Sequence, residues 1–180
     1  MGAKKPMTPS YWGKDLNGVA PDPDQNVPEQ MKPDLGDEIG DVAGKIWNAP
    51  NTILGLGYGG LGYVAGWPSK WLGWQKDAPG ITAGNNAVQF TNNPFGGVGA
   101  ITIGNTQTFA PDTDEHPDVR KEIGPHEEQH TYQGQQLGPF YLPSNIFGGA
   151  AGLLIDGSWH GQHNWNEAGP MQTPPRPWPK

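Results

Sequence analysis

The chain has 180 residues, a net charge of −7 and no cysteine. That length suits one domain with a real core. The acidic balance disfavours nucleic acid, which needs a basic face to displace counterions, and the lack of thiols leaves only His, Asp and Glu as metal ligands.

The first 44 residues are polar and proline-rich, as in PDPDQNVPEQMKPDLGDEIGD. They are expected to form an extended arm, residues 1–44, with one short helix near 37–46. The opening MGAKKPMTPS has charge but no apolar run behind it, so it is not expected to act as a cleavable signal peptide. The 28 glycines and 20 prolines, 48 of 180 residues, would suit a low-complexity chain, but eight Trp, five Tyr and five Phe argue for a compact, loop-rich domain over residues 45–180.

Residues 46–67, IWNAPNTILGLGYGGLGYVAGW, carry no charge. The length is near that of a membrane span of about 20 residues, but Asn48, Pro50 and Asn51 occupy the first turns. The favoured reading is a buried helix with a glycine face for close packing; membrane contact is the less favoured one. A second apolar glycine run, IFGGAAGLLI at 146–155, is its expected packing partner. A Trp-rich turn region follows at 67–85. Then AVQFTN at 87–92 and VGAITIGNTQTF at 98–109 flank a Pro/Gly turn and read as a β-hairpin. The loop PDTDEHPD at 111–118 is acidic. Residues 117–136 carry a helix stopped by Gly138-Pro139, residues 156–167 a second short helix, and QTPPRPWPK an extended tail. The fold class is therefore α+β.

HEEQH at 126–130 is the segment with chemistry in it. On a helix, residues i and i+4 share a face, so His126 and His130 can direct imidazole nitrogens at one ion. Glu127 lies beside the first of them, off the ligand axis, where it can take a proton from water as general base. Glu128 is expected to point into solvent. All five histidines follow residue 115, and two of them recur with a glutamate in WHGQHNWNE at 159–167. A catalytic zinc needs a third protein ligand. Glu167 is the first choice; His163, four residues earlier, is the next and His160 trails. His116 sits in the acidic loop and is not expected at the site. Because proline suits a first helical turn, Pro125 is expected to open the helix, with 117–123 as a separate turn. Tyr132, Phe140 and Tyr141 are expected to line the core or the cleft. Tyr141 is also a candidate to stabilise an oxyanion.

HEEQH continued by TYQGQQLGPFYLP at 131–143 resembles zincin-like metallopeptidases in which an HExxH helix runs on into a Gly-Pro-x-Tyr-x-Pro segment, and similar segments occur in bacterial polymorphic-toxin and secretion-system effector domains. HNWNEAGPMQTPPRPW at 163–178 resembles the second block of that group, and Asn166-Glu167 is similar to the helical glutamate ligand of gluzincins. The likeness spans about residues 98–178. It implies a zincin-like fold, Zn2+ held by His126, His130 and Glu167, Glu127 as catalytic base, and substrate backbone adding beside a strand of the hairpin. It further implies a bacterial antagonistic effector acting on a peptide or protein, peptidoglycan peptide included, cytoplasmic until a specialised secretion system exports it and restrained by an immunity protein. Two other readings compete: a non-enzymatic adaptor with a surviving metal site, and a membrane-acting toxin using residues 46–67.

Overall fold

A computed structural model of the chain describes residues 35–97, 99–111, 117–172 and 175–179. Most of the predicted arm, residues 1–34, and His116 lie outside the described residues. Helices α1 (Leu35–Trp47) and α2 (Ala49–Trp71) come first. Four strands follow: β1 (Gly80–Gly84), β2 (Ala87–Thr91), β3 (Ala100–Thr102) and β4 (Thr106–Phe109). Helix α3 (Pro117–Leu137) leads through a 3-10 turn at Gly138–Phe140 into α4 (Tyr141–Asp156). The class is α+β. The boundary expected at 44/45 cuts through α1, which starts well before it.

The sheet order is β1-β2-β4-β3. β1 and β2 form the tight hairpin, closed by Asn85 and Asn86, both at positive φ (47° and 57°). Asparagine tolerates that region, as a two-residue turn with the sheet's own twist demands. The hairpin expected between 87–92 and 98–109 is not formed. β2 instead pairs in parallel with β4, Val88 opposite Thr106 and Phe90 opposite Thr108, and β3 pairs antiparallel with β4 beyond it. The NNPFGG segment is a crossover loop rather than a turn. Its Asn93 is fully buried, donates to the Gly59 carbonyl (2.9 Å) and accepts the Phe95 N–H (2.9 Å), which ties the loop to α2. β3 is left as a sheet edge.

Helix α2 buries one narrow face: Asn48 at its N-cap, then Asn51, Gly55, Gly59, Gly62 and Gly66. The spacing of three or four keeps them in line. The glycines allow the sheet to approach: a Cβ at Gly59 would overlap the Phe90 ring and one at Gly62 the Asn93 amide. The partner of this face is thus the sheet and its loops, not the run at 146–155. That run forms α4, whose Gly148 and Gly149 receive Asn164 and Trp159. The apolar residues of α2 on its other side are exposed, so the helix is buried on one side only.

The interior is unusually polar. Gln89 donates to Gln107 across β2 and β4 (2.9 Å), Asn48 to Asn105 (3.0 Å), and Asn51 to the Gly138 carbonyl (2.7 Å). All are buried, while Phe90, Phe109, Ala110 and Tyr141 supply the buried apolar part. Because buried amides are costly unless paired, these matched pairs fix one arrangement of α2 against the sheet.

Candidate metal centre

Helix α3 runs unbroken through Pro125, correcting the expectation that Pro125 opens it. Proline removes one N–H and disfavours helix in the residue before it through a clash with that residue's Cβ. Here that residue is Gly124, which has no Cβ, so the clash with the preceding side chain is absent. His126 and His130 consequently sit in mid-helix, one turn apart, with ring centroids 4.9 Å apart.

The two Nε2 atoms lie 3.2 Å from each other. Glu167 faces both, Oε2 at 3.2 Å from His126 Nε2 and Oε1 at 3.5 Å from His130 Nε2. One ligand atom from each of the three residues falls within a 4.8 Å group. Donor atoms each about 2.05 Å from a tetrahedral ion stand roughly 3.3–3.4 Å apart, so this triangle has the size such an ion requires. Glu167 Oε2 is buried and has no hydrogen-bond partner, although His126 Nε2 and His160 Nδ1 (3.4 Å) are near. A buried carboxylate oxygen left without a hydrogen bond is expensive; a cation between these side chains would satisfy it. His126, His130 and Glu167 could hold a metal ion.

Glu167 arrives there without a helix. The segment 157–170 is a chain of turns, which corrects the expected helix at 156–167. Asn164 and Asn166 build it. The Asn164 carbonyl accepts the Glu167 N–H (2.9 Å), its side chain accepts the Asn166 N–H (3.1 Å), and Asn166 Nδ2 donates to the Ser144 carbonyl of α4 (2.9 Å). With no helix there, His163 does not share a face with Glu167. Its ring nitrogen is 2.6 Å from Asp156 and its backbone N–H donates to the same carboxylate. His163 is therefore corrected from candidate ligand to a clip that closes the loop onto the end of α4. His160, the trailing candidate, is the one that comes within reach of Glu167.

Two supporting residues had no signal strong enough to single them out. Gln133 is fully buried, and its Oε1 lies 2.9 Å from His130 Nδ1. Its Nε2 donates to the Asn166 carbonyl (2.7 Å) and to the Pro177 carbonyl, which fixes the amide's orientation. Oε1 can only accept, so Nδ1 keeps its proton, and once His130 loses its other proton Nε2 presents the lone pair to the centre. Thr102 of β3 donates to Glu127 Oε2 (2.6 Å) and holds that carboxylate beside the histidines. The i+3 position of Gln133 relative to His130 is its one sequence cue; Thr102 has none.

Electrostatics bind the cluster. Burial alone would lower the His130 pKa, but the Glu167 carboxylate and the Glu127 charge outweigh it and raise it to about 9. Burial alone would raise Glu167; the three histidines around it hold it well below the carboxylate range instead. The Glu167 contact also raises His160. Glu128, expected in solvent, is buried, and burial pushes its pKa up to about 8. Tyr141 is buried against the site, its ring 6.4 Å from His130, and burial pushes its hydroxyl well above the usual value.

The centre opens into a cavity of about 730 Å3. The β3 edge (Ala100, Ile101, Thr102) forms one wall, and Tyr141, Asn145, Trp159 and His160 contribute to the others. Comparison with protein-family models, with curated proteins and with solved structures finds no match.

Proposed function

We propose that the chain is a zinc-dependent hydrolase and that its reaction is the cleavage of peptide bonds in the zincin manner. The observation that carries this reading is the convergence of His126, His130 and the unsatisfied carboxylate of Glu167, with Glu127 held beside them by Thr102 at the floor of a cavity. Two imidazoles and a carboxylate, with no sulfur, form a donor set that suits zinc, and three protein ligands is the number used by hydrolytic sites.

Zinc held there would supply Lewis acidity and make water a nucleophile at neutral pH. The remaining work falls to this chain's side chains. Glu127 takes the proton of the attacking water and passes it to the departing amine. Thr102 keeps one Glu127 oxygen fixed at the cavity lining. Tyr141 keeps its hydroxyl proton and is available as a donor to the oxyanion, as is His160 across the cavity. The β3 edge, which lines the cavity, is a place where an extended substrate can add as a strand. Its cavity volume is in the range of pockets that enclose a few side chains or a small ligand.

The motif's likeness to effector domains supports a bacterial antagonistic role, with a protein or peptidoglycan peptide as target, export by a specialised system and an immunity protein as partner. The test is Glu127→Gln, assayed on a mixed peptide library and on peptidoglycan fragments. Hydrolysis should fall by about 10²- to 10⁴-fold with zinc content unchanged. Unchanged hydrolysis would remove Glu127 from the reaction. Zinc binding by a wild-type chain that cleaves neither class of substrate would favour the non-enzymatic metal-site reading.

A further inference from the structure

The helices of this protein are inverted. A surface helix ordinarily turns its apolar stripe inward. α2 turns asparagine and glycine inward and leaves Ile53, Leu61 and Val64 at 67–68% exposure. α1 presents Asp41 and Gly44 to Gln135 of α3, and keeps Leu35, Ile39, Val42 and Ile46 on its free side. α4 buries Tyr141 and three glycines and exposes Phe147 (68%) and Leu154 (86%). The three helices adjoin at the 3-10 turn: Trp47 of α1 lies over Gly138, Asn51 of α2 donates to the Gly138 carbonyl, and Phe140 is exposed at the head of α4. The three helices thus meet at one end, around Gly138.

We infer that the outer face of α2, with the Trp-rich turn that follows it, is a docking surface for a lipid bilayer. Three features favour lipid over a second copy of the chain. The first is charge. α2 has none from Ala49 to Ser69, so its outer face lacks the charged rim that fixes the register of a protein interface. The second is width. At 3.6 residues per turn, the exposed apolar positions of α2 from Ile53 to Trp71 spread over roughly 160° of the helix, far more than the narrow seam of paired helices. Acyl chains solvate a wide face without asking for complementarity.

The third is how the charge-free stretch ends. Trp67 and Trp71 stack along the last turns of α2 (centroids 6.2 Å apart), and Trp71 and Trp74 are each 77% exposed. Lys70 and Lys76 stand among them, joined by a hydrogen bond from Lys70 Nζ to the Lys76 carbonyl. Tryptophan with lysine is the composition that settles at the headgroup level, indole in the interface and ammonium on phosphate. No described helix is long and apolar enough to cross a membrane. The docking is accordingly interfacial, the helix sunk about 5–10 Å into the headgroup and acyl boundary. Glycine-faced packing of α2 onto a polar interior suits a protein with hydrocarbon on its outside.

The experiment is flotation of the full chain with vesicles of phosphatidylcholine and phosphatidylglycerol, with tryptophan quenching by brominated acyl chains. The chain should float with the vesicles, keep doing so at high salt, and be quenched. The double variant Leu61→Glu, Val64→Glu should lose binding by roughly tenfold or more, with its circular dichroism unchanged. A wild-type chain that stays in the aqueous fraction, or that binds without quenching, overturns the inference. So does a discrete dimer, seen by sedimentation, that the same substitutions dissolve while vesicle binding is absent. If the double variant fails to fold, quenching of the wild type alone decides.

Discussion

Gln133→Leu removes the one side chain that links all three parts of the site. Leucine has similar bulk and keeps the helix, but the His130 Nδ1–H and the carbonyls of Asn166 and Pro177 lose their partner in a buried place. Each such group costs about 1–3 kcal/mol, so the loss in stability should be about 3–9 kcal/mol. The metal should also suffer, because the Nδ1 partner sets which His130 nitrogen is bare; loss of such a partner typically weakens affinity by about 10- to 100-fold. Urea unfolding and a zinc competition titration read the two effects separately. Asn93→Ala serves as comparison, since it strips buried partners from the Gly59 carbonyl and the Phe95 N–H well away from the cluster. It should cost stability and leave zinc affinity alone. A Gln133→Leu chain with unaltered zinc affinity and a loss below about 1 kcal/mol would refute the reasoning, since a satisfied buried amide cannot be that cheap to delete.

Further outcomes follow from the same physics. Glu128 holds its proton to about pH 8 when folded but only to about 4.5 when unfolded; folding takes up a proton between those values, so stability falls as pH rises from 4.5 to 8 and is level above. Glu128→Gln should remove that slope and be more stable than wild type by a few kcal/mol at pH 8, read by thermal melts across pH. Zinc must displace the proton that keeps His130 charged to about pH 9, so apparent zinc affinity should climb by up to about tenfold per pH unit from 7 to 9 and then level, by isothermal titration. Gly62→Ala would drive a Cβ into the Asn93 amide and should cost about 1–3 kcal/mol, whereas Gly57→Ala meets open space and should be neutral or stabilise by about 0.5–1 kcal/mol.

The sequence carried what is local. The pairing of His126 with His130 rests on helical spacing alone, and the glycine face of α2 is written in its own periodicity. Residue pattern points to Glu167 as a candidate third ligand, but no helix orients it: Asn164 and Asn166 place Glu167 through turns, and turns of that kind have no periodic signature. The same absence of a helix turns His163 to Asp156. What was non-local was not legible. β2 pairs with β4 across an intervening strand, and nothing in AVQFTN distinguishes a parallel partner from the next run along the chain. Thr102 and Gln133 become functional neighbours only once β3 and the C-terminal tail have packed against α3. The side of α2 that faces outward was visible as apolar sequence, yet apolar residues are usually inward, and the polar, amide-lined interior that reverses them emerges only from the pairings between distant segments.

Metal analysis of the purified chain, alongside His130→Ala and Glu167→Ala, reads the centre itself. One zinc per wild-type chain is expected, lost in both variants and retained in Glu127→Gln. A folded wild-type chain that binds no zinc, or a His130→Ala chain that still holds it, would rule out a centre built on His126, His130 and Glu167.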